Sequence, residues 1–274
     1  EADPAIGAVI LDHSGGRGFC AGGDVRALYH DLLGERIEAV QFFRTEYAMN
    51  DLLFGMTTPT VCFMDGIVMG GGAGLAMPSK FRVATEATAY AMPETGIGLF
   101  PDVGGGWFLS RLPGRIGEWL ALTGARLDGS ECLNLGLATH YIRRAVLAQV
   151  KDRIEATPHA AESILAEYSV VPPPPGFTRH RSEIDRLFGA GSVEAIIGAL
   201  AADGSDWALA QRAEIVKKSP LSSKVALRQL AESRVLSRFS DNMRMEFRIA
   251  VRIIAQPDFR EGVRALVMDK DGEP

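Results

Sequence analysis

Cysteine is scarce and odd in number: Cys20, Cys62 and Cys132 are the only three in 274 residues, far apart and set among small or apolar neighbours. Neither a disulfide framework nor a Cys-His metal cluster can be drawn from them, so a reducing compartment is expected. Lysine is scarce too, at 6 of 29 basic residues, and 34 acidic residues outnumber the basic ones. A formal net charge of -5 gives no general attraction for nucleic acid or anionic lipid, so an anionic ligand needs a local site. No apolar run approaches the roughly 18 residues of a membrane span, and the first residues lack a signal peptide's basic and apolar regions. The five histidines have no acidic, His or Cys partners at metal-binding spacing, so no metal is expected. These absences point to a cytoplasmic protein with no nucleic-acid or membrane partner. The arginine bias, 23 to 6 over lysine, leans towards a bacterial one.

What is present is apolar material, 47% of the chain, and 30 glycines. The run 6–11 (Ile-Gly-Ala-Val-Ile-Leu) reads as a strand buried on both faces. A glycine loop over 14–23 follows, and Asp24 is placed to cap a helix whose apolar positions are Val25, Leu28, Tyr29, Leu32 and Leu33. A second unit repeats the order: helix over 37–54, apolar strand over 60–64, then a glycine cluster at 70–74 that can continue as a buried helix. Short strands are expected at 81–84 and 89–92, which makes residues 1–143 an α/β layer. Beyond Tyr141 helical periodicity takes over. Val146, Leu147, Val150 and Ile154 share a face, Pro172 to Pro175 mark an extended connector, and helices are expected near 182–188, 192–200, 207–217, 222–236 and 239–254. Residues 144–274 are therefore read as a helical C-terminal region.

Two glycine loops, each following a buried strand and opening into a helix, place backbone N–H groups where they can bind a phosphate or an oxyanion. The 70–74 cluster lacks Gly-x-Gly-x-x-Gly spacing and no P-loop pattern occurs, which disfavours a nucleotide phosphate and leaves an oxyanion hole. No Gly-x-Ser-x-Gly elbow offers a serine nucleophile. Cys20 suits a buried, inert thiol. On the residues alone Glu94 reads as a loop acid, Glu46 as a surface residue of a helix, and Asp102 as a cap for the helix after it.

The segment 19–24 (Phe-Cys-Ala-Gly-Gly-Asp), followed about 40 residues later by 65–74 (Asp-Gly-Ile-Val-Met-Gly-Gly-Gly-Ala-Gly), resembles the paired oxyanion-hole segments of the crotonase (enoyl-CoA hydratase/isomerase) superfamily. Residues 82–106, 42–47, 120–127, 138–140 and 258–271 are similar to one branch, the 3-hydroxyisobutyryl-CoA hydrolases. The resemblance implies an α/β, crotonase-like spiral of ββα turns with a helical C-terminal region, an acyl-CoA substrate, no cofactor beyond the CoA of that substrate, and a homotrimer or other homo-oligomer. It implies that Ala21 and Gly71 supply the oxyanion-hole N–H groups and that Glu94 and Asp102 are the catalytic acids. Glu46 contacts substrate on this reading, as do Gly22, Gly23, Asp24 and Gly70 beside the two donors. Two features depart from the superfamily pattern. Gly74 stands where hydratases carry their first catalytic glutamate, as in the hydrolase branch, and the strand pair and helix that normally precede the first strand have no counterpart ahead of residue 6. The implied reaction is hydrolysis of a short 3-hydroxyacyl-CoA; the alternatives are enoyl-CoA isomerisation or hydration, or a non-catalytic thioester-binding scaffold.

Overall fold

The structure, a computed structural model, describes residue 3, residues 5–16, 18–31 and 34, and residues 36–274. Arg17 of the first glycine loop, and Leu32 and Leu33 of the helical face expected after Asp24, lie outside the described residues. The chain packs as two units, each drawn from three stretches: residues 1–22, 50–91 and 126–177 form the first, and residues 23–49, 92–125 and 178–274 the second. The compositional boundary at 143/144 divides the sequence, and both units draw on residues before and after it.

The first unit holds the sheets. Among the described residues its strands are β1 (Val9–Leu11), β2 (Thr60–Met64), β3 (Ile67–Met69), β4 (Phe81–Ala84), β5 (Ala89–Ala91), β6 (Leu127–Asp128) and β7 (His140–Tyr141). One parallel sheet has the order β1-β2-β4-β7; in the other, β3 pairs parallel to β5 and β6 antiparallel to it. Every residue of β2 is buried, as an unbroken apolar run predicts for a strand covered on both faces. Val61 and Phe63 of β2 pack with Phe81 and Val83 of β4 and with Leu147, Val150 and Ile154, the buried face of the helix Leu147–Ala156. β1 is shorter than the run 6–11. Val9 pairs with Thr60, and the residue before Thr60 is Pro59, which has no N–H with which to extend the ladder; Ile6 is left 47% exposed. Residues 170–175 form neither helix nor strand, as their prolines require.

The second unit is helical. The expected C-terminal helices are found at Arg181–Leu187, Val193–Asp203, Asp206–Val216, Pro220–Val235 and Phe239–Ile253. Ser192, Ser205 and Ser219 cap three of them by accepting the N–H of Ala195, Ala208 and Ser222. The helix expected to start at Ser222 begins earlier because Pro220 occupies its first turn, where a missing N–H costs nothing. No described helix is long and apolar enough to cross a membrane.

Candidate active site

In the first unit, residues 19–22 run beside β3. Cys20 donates its N–H to Ile67 O at 3.0 Å and accepts the Met69 N–H at 3.0 Å, a parallel bridge opposite Val68. The two segments lie closer than side chains permit: a Cβ on Gly72 would stand 2.1 Å from Cys20 O. Gly70, at φ 53° and ψ -127°, then turns the chain from β3 into the helix Gly71–Ala76, a conformation that only glycine adopts readily. Ala21 follows Cys20 directly, and Gly71 opens the helix just after Gly70. No hydrogen bond among the described residues occupies the N–H of either. Gly22 is alongside, close enough that a Cβ there would come 3.5 Å from Gly71 N. Four predicted residues, Ala21, Gly22, Gly70 and Gly71, are thus brought together as a pair of main-chain segments whose N–H groups are available to a developing oxyanion. Cys20 is half-buried rather than buried, and its backbone, not its thiol, builds the site. Gly74 is buried on the same helix, and its carbonyl accepts from Asn50 Nδ2 at 2.9 Å.

Gly23 and Asp24 belong to the second unit. Asp24 Oδ1 accepts the N–H of Arg26 (3.1 Å) and Ala27 (3.3 Å), so it caps the helix Val25–Asp31 as its position predicts. Gly23 gives room to a ring, since a Cβ there would meet Phe42 Cζ at 2.6 Å.

The acids Glu46, Glu94 and Asp102 share this second unit. Glu94 opens the 3₁₀ turn Glu94–Ile97, is 5% exposed, and among the described residues receives no hydrogen bond from any other side chain or backbone group at either carboxylate oxygen. Burial, and next the charge of Asp102, hold its carboxyl well above the usual carboxylate range. Asp102 is 4% exposed and accepts the Tyr47 hydroxyl at 2.6 Å. Burial pushes its pKa up to about 6, with the Tyr47 hydrogen bond pulling the other way. Glu46 stands next to Tyr47 on the helix Ile37–Gly55, where burial and then the charge of Asp102 push it up to about 8. The structure therefore makes one electrostatic cluster of three acids that the sequence separates by up to 56 positions (102 - 46). Such clustering of carboxyls with raised pKa values, two buried and one half-buried, is a mark of acid–base or nucleophilic chemistry. Among the described residues, no three His, Cys, Asp or Glu side chains are arranged to hold a metal ion.

The expectation that Asp102 caps the helix after it is not met. The helix Gly105–Leu109 has Gly104 at its cap position, and the carboxylate that accepts its first N–H groups is that of Glu246, from Gly104 N at 2.7 Å and Gly106 N at 3.0 Å. Burial raises the Glu246 carboxyl against the opposing pull of those donors. Sequence reading missed both Tyr47 and Glu246. Glu246 had a legible signal: it occupies the buried face of the helix Phe239–Ile253 together with Phe239, Met243, Ala250 and Ile253, an acid at an apolar position.

Comparison with known proteins agrees with this geometry. A family model described as enoyl-CoA hydratase/isomerase matches residues 1–274. The 3-hydroxyisobutyryl-CoA hydrolases of Xenopus tropicalis and Homo sapiens, both described as mitochondrial, are 42% and 41% identical to the chain, over 99% and 100% of its length and 72% and 73% of theirs. Among solved structures, a carnitinyl-CoA dehydratase from Mycobacterium thermoresistibile superposes with a TM-score of 0.94 at 37% identity, covering 98% of this chain and 78% of that one. An enoyl-CoA hydratase from Rhodobacter sphaeroides gives 0.91 at 36%, covering 100% and 79%. The parallel sheets, the two main-chain segments around Cys20 and Gly72, and a family match along the whole length lead to one conclusion: the chain belongs to the crotonase superfamily, the enoyl-CoA hydratase/isomerase family.

Proposed function

We propose that this crotonase-family acyl-CoA enzyme hydrolyses a short 3-hydroxyacyl-CoA thioester, with 3-hydroxyisobutyryl-CoA of valine breakdown as the preferred substrate. The observation that carries the reading is a carboxylate set with one member missing: Glu94 is buried without a donor from any other described residue, Asp102 raises its pKa further, and position 74 is glycine. Adding water to an enoyl double bond is thought to use two catalytic carboxylates, one of them at position 74; opening a thioester does not need that one.

In the proposed reaction the N–H groups of Ala21 and Gly71 hold the thioester oxygen. Preorganised donors of this kind are each worth roughly a hundredfold to a thousandfold in rate, because they meet the negative charge as it develops. Glu94 either adds to the carbonyl carbon to give a mixed anhydride that water then opens, or takes a proton from the attacking water. In both routes the C–S bond breaks, CoA leaves as the thiol, and one water is consumed. A pKa raised towards the working pH suits either task, since the ionised fraction is then the better nucleophile and the better base. Asp102 accepts the substrate hydroxyl, Glu46 contacts the acyl portion, and Gly22, Gly23, Asp24 and Gly70 line the substrate segments. A homotrimer is part of this reading, to be checked by sedimentation.

The solved relatives described as a hydratase and a dehydratase favour the rival reading, hydration of an enoyl-CoA. The two are separated by incubating the protein with 3-hydroxyisobutyryl-CoA and with crotonyl-CoA. Thiol release from the first with undiminished enoyl absorbance of the second supports hydrolysis; loss of that absorbance at a comparable rate refutes it.

A further inference from the structure

The turn that carries Asp102 is tied on both flanks to one buried polar network. Glu246, 0% exposed, accepts four hydrogen bonds: from Gly104 N (2.7 Å) at one oxygen, and from Gly106 N (3.0 Å), Gln229 Nε2 (2.9 Å) and Asn242 Nδ2 (2.8 Å) at the other. Gln229 Nε2 also donates to Pro101 O at 2.8 Å, and Ser233 Oγ donates to Asn242 Oδ1 at 2.6 Å. Pro101 precedes Asp102 and Gly104 follows Val103, so a single cluster grips the chain on either side of two residues. Of those two, Val103 sits at φ 49°. A β-branched residue in the left-handed region is strained and persists only where its surroundings hold it.

All four partners of Glu246 are donors, so a group with acceptors only satisfies every one of them. An amide there would set its own N–H2 against a backbone N–H. The cluster is also tightly closed, for a Cβ on Gly106 would come 2.6 Å from Ser233 Oγ, 2.7 Å from Gln229 Nε2 and 2.9 Å from Glu246 Oε1. Glu246 stands behind the backbone of the turn, while the Asp102 carboxylate is engaged from elsewhere by Tyr47.

We propose that Glu246 is a positioning residue: its carboxylate holds the strained turn at Val103 and thereby fixes where the Asp102 carboxylate points. This rests on the reading of Asp102 as the group that receives the substrate hydroxyl. Glu246 itself touches no reacting atom. Its effect should pass through Asp102 and should matter for hydroxylated substrates above others.

The test is a double-mutant cycle on the full chain, D102N against E246Q, with kcat and KM read from thiol release on 3-hydroxyisobutyryl-CoA and on isobutyryl-CoA, and folding followed by circular dichroism. On the hydroxylated thioester, E246Q should lower kcat on the order of tenfold with little change in KM, the scale of a modest misplacement of a working group. On isobutyryl-CoA the loss should be smaller. In the D102N background, E246Q should cost less than about twofold more, because the group it positions is already disabled. Multiplying losses, or equal losses on the two thioesters, overturn the positioning role while leaving Asp102 in place. If D102N alone keeps full turnover on both thioesters, the reading of Asp102 fails and the positioning role with it. Should E246Q not fold, Gln229→Met removes one donor to Glu246 and the tie to Pro101 at similar volume. It must show the same dependence on Asp102, with a several-fold loss, or the proposal is wrong.

Discussion

Removing the Tyr47 hydroxyl isolates the side-chain donor that, among the described residues, faces the Asp102 carboxylate. In Tyr47→Phe the 2.6 Å hydrogen bond is gone and nothing else in the buried pair changes shape. The bond favours the ionised form of Asp102, so its loss favours the protonated form and the pKa must rise from its value of about 6. A hydrogen bond to a buried charge contributes about 1.5–3 kcal/mol, and 1.36 kcal/mol corresponds to one pH unit, so the rise should be roughly one to two units. The half-ionisation point then moves from slightly acid to about pH 7–8, and at pH 6.5 most molecules hold Asp102 neutral. A neutral acid accepts the substrate hydroxyl less well, so kcat/KM on 3-hydroxyisobutyryl-CoA should fall about tenfold at pH 6.5 and recover as the pH is raised to 9. The assay is thiol release across pH 5.5–9 for the unmodified chain, Tyr47→Phe and Asp102→Asn, the last identifying the limb that belongs to Asp102 by its disappearance. A Tyr47→Phe profile that drops uniformly at every pH, with its limb unmoved, would refute the reasoning and make Tyr47 a packing residue.

Glu94→Gln should lower kcat at least a hundredfold with KM near normal, the signature of a lost base or nucleophile rather than lost binding; unchanged turnover in the thiol assay removes Glu94 from the mechanism. Gly72→Ala should be hard to accommodate, because its Cβ would fall 2.1 Å from Cys20 O; a lower melting temperature and a kcat loss of a hundredfold or more are expected, and retained activity would deny the main-chain pairing its role. Gly74→Glu should lower hydrolysis by placing negative charge on the helix that starts at the proposed oxyanion donor Gly71, and an increase in thiol release would contradict that. Stability should fall as pH rises, because the raised pKa values of Glu46 (about 8) and Asp102 (about 6) mean that the folded chain keeps protons the unfolded chain has released. That contribution is complete below the unfolded carboxyl pKa of about 4, and is lost progressively as pH climbs through about 6 and then about 8. The urea midpoint should be lower at pH 8.5 than at pH 6, with a smaller drop in Glu46→Gln; a flat or rising midpoint counts against these shifts.

The main-chain part of the site was readable because close backbone approach leaves glycines behind in the sequence. Gly70 and Gly72 each answer a geometric demand, one a turn and one an approach so close that a Cβ would stand 2.1 Å from Cys20 O. The proposed catalytic acids were readable only through resemblance, since nothing in the residues around Glu94 announces that they are buried. Glu246 could be suspected as an acid on an apolar helix face, but its partners, like that of Tyr47, could not be read. Their hydrogen bonds span 55 and 142 residues, and no local spacing records a partner that distant. In the fold, the strand at 6–11 was overestimated because apolarity was weighed for the strand alone, while its length is decided by Pro59 on the neighbour. The five helices expected beyond the proline connector, by contrast, were placed to within a few residues, because a 3.6-residue period and a capping serine are both written locally; those at Ala161–Tyr168 and Pro257–Val263 were not expected.

The bridge between Cys20 and Val68 bears on how a scaffold of this kind changes occupation. Its groups are peptide N–H and C=O, which every residue but proline possesses, so drift in side chains at positions 20 and 21 leaves the pairing, and the oxyanion hole proposed beside it, intact. What such drift cannot do is widen residue 72. The reaction is then free to be rewritten elsewhere, by gaining or losing a carboxylate, without re-evolving the means of handling the thioester. Relatives described as hydrolases, a hydratase and a dehydratase stand at comparable identity to this chain, 36–42%, which is the pattern expected when chemistry diverges faster than the framework. An engineer seeking a new thioester reaction here would leave both glycine segments untouched and vary only acids.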